Sequence, residues 1–196
     1  MRRKEIKLGQ VTIGPGNPPL VLADIDMFFN QDIDLAKRTI ESLVRDGVTT
    51  IKAAIVHTAD FVLDDDSEEV YFDPERGMVK ERFRDLIERK VVPIDQYKPI
   101  VDLYKSSGLE TIYSVYDREG ADYAVSADAV ALKIPSSHIT HEYLIKYVAS
   151  LGLPMFLDTG KSDLSEIVRA VDWVREKHGG DRLIIQHSPL APPKPL

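Results

Sequence analysis

The chain has 196 residues, which is enough for one large domain or two small ones with a substantial hydrophobic core. Its net charge of −7 argues against general binding to nucleic acid or to an anionic membrane, and no apolar stretch reaches the roughly 18 residues of a membrane-spanning helix. The absence of cysteine excludes disulfides, thiolate metal ligands and a cysteine nucleophile, and it agrees with a cytoplasmic location.

Residues 1–19 are predicted to form a small hairpin followed by an irregular lead-in. The segment EIKLGQVTIG contains two short apolar runs, and Gly9-Gln10 is the expected turn between them. The Gly-Pro-Gly-Asn-Pro-Pro stretch that follows is typical of irregular structure. We therefore predict two parts, the N-terminal hairpin with its lead-in over 1–19 and a (β/α) domain over 20–196.

Beyond this lead-in, apolar strand-like runs alternate with amphipathic helical runs. The six predicted strands are Leu20–Met27, Thr49–Val56, Glu110–Tyr116, Ala129–Pro135, Pro154–Gly160 and Arg182–Ser188. Helical periodicity is predicted for residues 33–47, 79–90, 95–108, 118–126, 141–152 and 164–180. Strands separated by helices pair in parallel through right-handed crossovers, so the sequence predicts an α/β fold built like part of a (β/α) barrel.

Several polar residues have purely structural interpretations. The acidic run at 64–69 is expected to be a solvated loop. Ser162 or Asp163 is expected to cap the helix that begins near Leu164. Three histidines, whose spacing does not indicate a metal site, are expected on the surface: His57, His141 and His178.

Polar residues also collect near the C-terminal ends of the predicted strands, where a (β/α) barrel assembles its active site. In chain order they are Asp24, Asp26, Lys52, Ser114, Asp117, Lys133, Ser136, Asp158, Thr159, Gln186 and His187. Lys133 lies within an apolar strand, where an unpaired ammonium would cost several kcal/mol. Two lysines on different strands with hydroxyls nearby suit a phosphate or carboxylate ligand. A structural alternative is an ion pair between Lys52 and Asp24.

Five segments, taken in order, resemble the N-acetylneuraminate (sialic acid) synthase family. Members of that family condense phosphoenolpyruvate with an amino sugar in a metal-dependent (β/α) barrel. The segments are residues 13–54 and the stretches IYSVYD, ALKIPSSHIT, LPMFLDTGKSDLSEIVRAVDWV and LIIQHS. Their order and spacing make the resemblance specific. It implies a TIM-barrel-like (β/α) fold with six of the eight strands present in this chain.

The resemblance also implies how the substrates are bound. Phosphoenolpyruvate would be bound by the residues at four matching positions, Lys52, Ser114, Lys133 and Ser136. Asp24 stands where the family has glutamate, and it is the implied acid/base or orienting group at the sugar. The resemblance thus implies a phosphoenolpyruvate-dependent synthase whose partners are two small molecules, phosphoenolpyruvate and an amino sugar.

The implied site for a divalent metal, Mn²⁺ or Mg²⁺, departs from the family pattern. Gln186 stands where the family has a metal-binding histidine, His187 follows it, and Asp158 could supply a further oxygen ligand. Phe28 and Phe29 replace an expected Asn-His pair. We therefore expect weak or absent Mn²⁺ binding and no synthase activity from this chain alone. The alternative function is a non-catalytic family member that binds an anion without metal.

Six strands do not close a barrel of eight, which typically takes about 250 residues. An open parallel sheet has two edges that favour association. We therefore expect a fragment of a longer protein or a reduced homologue that completes its sheet as a homo-oligomer. A third interpretation is a different (β/α) enzyme whose substrate fits an aromatic mouth formed by Phe28, Phe29 and Tyr116.

Overall fold

The computed structural model describes residues 4–26, 29, 32–178 and 180–188, without the side chain of the residue at 178. Its strands are β1 (Ile6–Leu8), β2 (Val11–Ile13), β3 (Ala23–Asp26), β4 (Thr50–Ile55), β5 (Glu68–Asp73), β6 (Gly77–Arg82), β7 (Glu110–Val115), β8 (Ala131–Ile134), β9 (Met155–Asp158) and β10 (Leu183–Gln186). Its α-helices are α1 (Ile33–Arg45), α2 (Phe83–Glu88), α3 (Lys98–Ser106), α4 (Arg118–Ser126), α5 (Glu142–Ser150) and α6 (Leu164–His178).

A parallel sheet of six strands, in the order β10-β9-β8-β7-β4-β3, forms the centre of the molecule. Each connection between successive strands of this sheet contains at least one helix. The prediction of a TIM-barrel-like (β/α) arrangement with six strands is confirmed. β3 and β10 are the two edges of the sheet in the described part of the chain. None of the described helices is long and apolar enough to cross a membrane.

The two faces of the sheet are covered by different elements, because side chains alternate along each strand. On the outer face, residues such as Ile51, Tyr113 and Leu132 pack in the large core beneath the helices. On the inner face, a second core unites Leu8 of the N-terminal hairpin with Ile112, Ala131 and Phe156, which come from β7, β8 and β9. The hairpin therefore covers the inner face near the start of the strands and leaves the C-terminal ends to the polar residues.

The turn of this hairpin is at Gly9-Gln10, as predicted. Gly9 has φ +55°, a left-handed conformation that glycine adopts without strain. A Cβ atom at this position would lie 2.1 Å from Oε1 of Glu110, so a side chain there would displace the Glu110 carboxylate. The same oxygen accepts a hydrogen bond of 2.7 Å from the backbone N–H of Gln10. The glycine thus allows the hairpin to dock against the start of β7.

Two predictions for residues 64–90 are wrong. Part of the acidic run belongs to β5, which pairs antiparallel with β6, and the helix predicted over 79–90 is reduced to α2. Glu68 forms an ion pair with Lys80 across the hairpin, and the hydroxyl of Tyr71 donates to Glu81 at 2.6 Å. Such cross-strand pairs stabilise the hairpin. They outweigh the helix-like spacing of the apolar residues, on which the helix prediction was based.

Candidate active site

Four polar residues lie on the inner face of the sheet, close to the apolar residues of the inner core. Ser114, Lys133 and Asp158 each follow an inner-core residue of their own strand by two positions. Lys52 is level with Ile112 in the register of β4 and β7. The four polar residues come from four successive strands and are nearly buried, with exposed fractions of 6% for Lys52, 1% for Ser114, 8% for Lys133 and 9% for Asp158. Ser114 and Lys133 are direct neighbours in the register of β7 and β8. The structure therefore brings together both predicted lysines, one predicted hydroxyl and one predicted carboxylate.

Lys133 meets the carboxylate of Asp158. Its Nζ donates a hydrogen bond of 2.8 Å to Oδ2, while Oδ1 of the same aspartate accepts from the backbone N–H of Gly160 at 3.2 Å. Burial by itself raises the pKa of Asp158, but hydrogen bonds from Lys133 and Ser188 outweigh burial and hold this pKa below its usual value. Asp158 is therefore a carboxylate at neutral pH, and it compensates the charge of a lysine in an apolar strand.

Lys52 is shared by two carboxylates at the edge of the sheet. Its Nζ lies 3.0 Å from Oδ2 of Asp26 and 3.2 Å from Oδ1 of Asp24. A bulge between these two aspartates interrupts the pairing of β3 with β4, and Asp26 has a left-handed φ of +20°. The predicted alternative of an ion pair between Lys52 and Asp24 is thus present. The side chain of Asp24 is 56% exposed, so one carboxylate remains accessible from solvent.

The two predicted serines differ in their surroundings. Among the described residues, Oγ of Ser114 has no hydrogen-bond partner although it is fully buried. Such a group normally finds a partner in the protein, in ordered water or in a ligand. Ser136 is half-buried and lies against Gly160, where an added Cβ would be 3.2 Å from its Oγ. Because Gly160 has no side chain, it leaves space beside the Ser136 hydroxyl.

Two of the histidines predicted on the surface have structural roles. His57 is almost buried, with 11% of its side chain exposed, and its Nε2 lies 2.9 Å from Oδ2 of Asp117, so its surface assignment is wrong. Asp117 also caps the start of α4. The cap and the contact with His57 explain why a polar residue follows β7 here, so Asp117 is not needed in the candidate site. His141 caps α5 by accepting from the N–H of Leu144. The side chain of His178 lies outside the described residues.

The predicted capping of α6 is confirmed. Asp163 accepts a hydrogen bond of 2.9 Å from the N–H of Glu166, and the carboxylate of Glu166 accepts one of 3.0 Å from the N–H of Asp163. This reciprocal pair is a capping box. It fixes the segment after β9, so the turn that contains Gly160 leads into a firmly anchored helix.

An aromatic pocket of about 320 Å³ lies beside the turn that follows Ser136, but it is not the predicted aromatic mouth. Tyr116 lines it and stacks on Phe61 with a ring separation of 4.2 Å. Phe29 is instead buried in the outer core, and Phe28 lies outside the described residues. Sequence reasoning missed His138, which lies two residues beyond Ser136 and also lines the pocket. Burial lowers its pKa, which favours a neutral imidazole.

The three candidate metal ligands do not fit a divalent cation. Gln186 is level with Asp158 in the register of β10 and β9, but both oxygens of that aspartate already accept hydrogen bonds. His187 is exposed beyond the end of β10. Within the described ranges, no group of three His, Asp or Glu side chains is arranged to hold an ion. No chemical step is therefore assigned to a metal bound by these residues.

We expect Mn²⁺ to bind this chain more weakly than micromolar affinity. A neutral amide oxygen at Gln186 is a poorer ligand for Mn²⁺ than an imidazole, and Asp158 would have to leave Lys133 to coordinate an ion. Isothermal titration with Mn²⁺ measures this affinity. Micromolar binding that is lost in an Asp158→Ala variant would contradict the expectation and identify Asp158 as a metal ligand.

Comparison with known families decides the relationship suggested by the five sequence segments. The model of the NeuB family matches residues 39–196. The chain belongs to the NeuB family. The resemblance to sialic acid synthases is thereby confirmed for most of the chain.

Curated relatives of this NeuB-family chain include an uncharacterised protein of Methanocaldococcus jannaschii, 27% identical over 98% of this chain and 52% of the relative. An N,N'-diacetyllegionaminic acid synthase of Legionella pneumophila is 24% identical over 85% of this chain and 48% of its own length. A pseudaminic acid synthase of Helicobacter pylori is 21% identical over 86% of this chain and 49% of its own length. The chain spans about half the length of the curated relatives it matches.

Solved structures support the same fold for this NeuB-family chain. The N-acetylneuraminic acid synthetase of Leptospira borgpetersenii matches with a TM-score of 0.80 and 20% identity, over 98% of this chain and 62% of that one. A phospho-2-dehydro-3-deoxyheptonate aldolase of Thermotoga maritima matches with a TM-score of 0.67 and 12% identity, over 94% of this chain and 46% of that one. At these identities the likeness concerns the (β/α) fold.

Proposed function

We propose that this chain provides the phosphoenolpyruvate site of a sialic acid synthase-like enzyme, which condenses phosphoenolpyruvate with an amino sugar to a nonulosonic-type keto-sugar acid. The observation that carries the proposal is the pair of buried lysines on the inner face, with the unpartnered hydroxyl of Ser114 on the strand between them. The names of the legionaminic acid and pseudaminic acid synthases among its relatives support the choice of product class.

The spacing of the two lysines suits a ligand with two anionic groups. Lys52 and Lys133 lie on strands separated by one strand, so their backbones are about 10 Å apart, or two strand spacings. Phosphoenolpyruvate carries a phosphate and a carboxylate, and long flexible lysines can reach one group each. Ser114 and Ser136 would donate hydroxyl hydrogen bonds to these groups. Asp24, exposed at the rim, would act on the sugar as acid/base or orienting group.

A second candidate function is an anion-binding family member without synthase activity. It is favoured by the ion pairs that already neutralise both lysines and by the poor fit of the candidate metal ligands. The two candidates share the anion site and differ in turnover. We propose a cytoplasmic location for either, since a chain without cysteine suits a reducing compartment.

Titration of phosphoenolpyruvate into the wild type and a Lys133→Ala variant tests the shared site. We expect heat of binding from the wild type and at least a tenfold loss of affinity in the variant, because one charge-assisted contact is removed. Lys105→Ala is the matched control, since Lys105 pairs with Asp128 on the surface. Equal affinity in wild type and Lys133→Ala would refute the site. A phosphate-release assay with an amino sugar then separates the synthase from the non-catalytic candidate.

We also expect the isolated chain to form a homo-oligomer. β3 and β10 are edges of the described sheet, and an unpaired edge strand is a template for association. Ile185 on the edge strand β10 is 51% exposed, which adds apolar surface at this edge. Sedimentation velocity measures the state directly. A monodisperse monomer with a sharp thermal transition would contradict the expectation.

A further inference from the structure

The proposed anion site already contains anions of its own. Three carboxylates, from Asp24, Asp26 and Asp158, contact the two lysine ammonium groups, so these five side chains carry a net charge of −1. An anionic ligand that approached this group would meet neutralised lysines and an excess of negative charge. This charge balance is a property of the residues present here, and it bears on which ligands can bind.

Of the two lysines, Lys133 is held more firmly by its carboxylate partner than Lys52 is. The carboxylate is held from both sides, by Nζ of Lys133 on Oδ2 and by the N–H of Gly160 on Oδ1. Both side chains are almost buried, with 11% and 13% of their surface exposed. Water therefore screens this pair weakly, and the carboxylate competes at full strength with any other anion for the ammonium.

A second donor, which has no partner among the described residues, lies beside Lys133. Ser114 is its neighbour in the strand register, and the buried Oγ of Ser114 has no partner among the described residues. A phosphate or carboxylate oxygen between the two would accept from both groups. Such a ligand would have to share or take over the ammonium that Asp158 holds.

Resting on the proposed function, we propose that Asp158 is an internal competitor that occupies Lys133 until a ligand displaces it. Asp158 is thereby a specificity-determining residue. It weakens the binding of small anions that offer a single contact, such as inorganic phosphate. It selects ligands whose second anionic group also engages Lys52 and so compensates for the displaced contact.

The competing explanation is that Asp158 only holds Lys133 in place. The two explanations predict opposite signs for the removal of its charge. If Asp158 competes, neutralising it strengthens the binding of anions. If it only positions the lysine, neutralising it leaves Lys133 poorly oriented and weakens binding.

The experiment measures the affinity for inorganic phosphate and for phosphoenolpyruvate by isothermal titration, at neutral pH and constant ionic strength. The proteins are the wild type, Asp158→Asn, Asp158→Ser and the double variant Asp158→Asn with Lys133→Ala. Asp128→Asn is the matched control, because it removes the same charge from an exposed ion pair with Lys105. Thermal melts identify which of the two Asp158 variants is folded and therefore carries the test.

We expect the Asp158 variants to bind phosphate about tenfold more tightly or better, with a smaller gain for phosphoenolpyruvate and no gain in Asp128→Asn. The gain should vanish in the double variant, because it operates through Lys133. Unchanged or weaker phosphate binding in both Asp158 variants, with phosphoenolpyruvate bound by the wild type, would overturn the inference and leave the proposed function intact. A gain that survives the loss of Lys133 would also overturn it. Absence of binding in every variant would overturn both.

Discussion

Replacing Lys133 by methionine is expected to lower the free energy of unfolding by about 3 kcal/mol. The substitution keeps most of the apolar stem but leaves the carboxylate of Asp158 buried without its cation, and breaking a buried ion pair from one side costs about 3–5 kcal/mol. We expect a cost at the lower end of this range because the backbone N–H of Gly160 still donates a hydrogen bond to the Asp158 carboxylate. Urea unfolding of wild type and variant measures the difference.

Two further variants show whether the cost comes from the uncompensated charge. The double variant Lys133→Met with Asp158→Leu should recover most of the loss, since replacing both partners of a buried pair by apolar groups is often nearly neutral. Lys105→Met, which breaks an exposed pair with Asp128, should change stability by no more than about 1 kcal/mol. A Lys133→Met variant as stable as Lys105→Met would show that the ion pair is not needed for folding.

Leu8→Ala is expected to lower the free energy of unfolding by about 3 kcal/mol as well. Leu8 is fully buried against Ile112, Ala131 and Phe156, and truncation of a buried leucine costs about 2–5 kcal/mol through lost transfer energy and the cavity left behind. The effect should be large because this side chain joins the hairpin to three strands. Urea unfolding or a thermal melt provides the measurement.

Leu63→Ala is the matched control for Leu8→Ala, because it makes the same substitution at a side chain that is 77% exposed. A surface truncation of this kind should stay within about 0.5 kcal/mol of the wild type. If both variants are equally stable, the hairpin does not contribute to the inner core. If only Leu8→Ala is destabilised, the hairpin is part of the cooperative unit.

The ion pairs also bear on how the protein could use its lysines. Lys133 is buried among the apolar residues of β8, and its charge is tolerated there because Asp158 compensates it. The same compensation weakens it as an anion receptor. Lys52 on β4 is paired in a similar way with the edge strand β3, where Asp24 is exposed and Asp26 is half-buried. Stability of the empty site and affinity for an anion are therefore in competition at both lysines.

The central sheet could be predicted from the sequence because its strands and helices are marked by patterns within short segments. Short runs that are apolar at consecutive positions, as in Thr49–Val56, are typical of parallel strands buried on both faces. Helical periodicity that ends at glycine, as at Gly47, marked the helices between them. The sequence also placed Lys52, Ser114 and Lys133 in or at the ends of three predicted strands. In the structure, alternation along these strands puts the three side chains on the inner face.

Local signals failed where two segments decide each other's structure. Residues 79–82 carry a helix-like spacing, and they form β6 because β5 offers matching charges across the hairpin. His57 has no sequence feature that separates it from a surface histidine, and it is nearly buried because Asp117, on a different strand end, accepts its hydrogen bond. Phe29 was likewise predicted at an aromatic mouth, but it packs in the outer core against residues distant in sequence.

The sequence by itself determined that polar residues such as Lys52, Lys133 and Asp158 lie in or at the ends of the strands, since strand patterns depend on neighbours along the chain. Only the tertiary structure decided what those residues contact. The pairing of Lys133 with Asp158 needs the register between β8 and β9, and the contact of Lys52 with Asp26 needs the bulge in β3. Register and bulges are set by packing across strands distant in sequence, so no single segment encodes them.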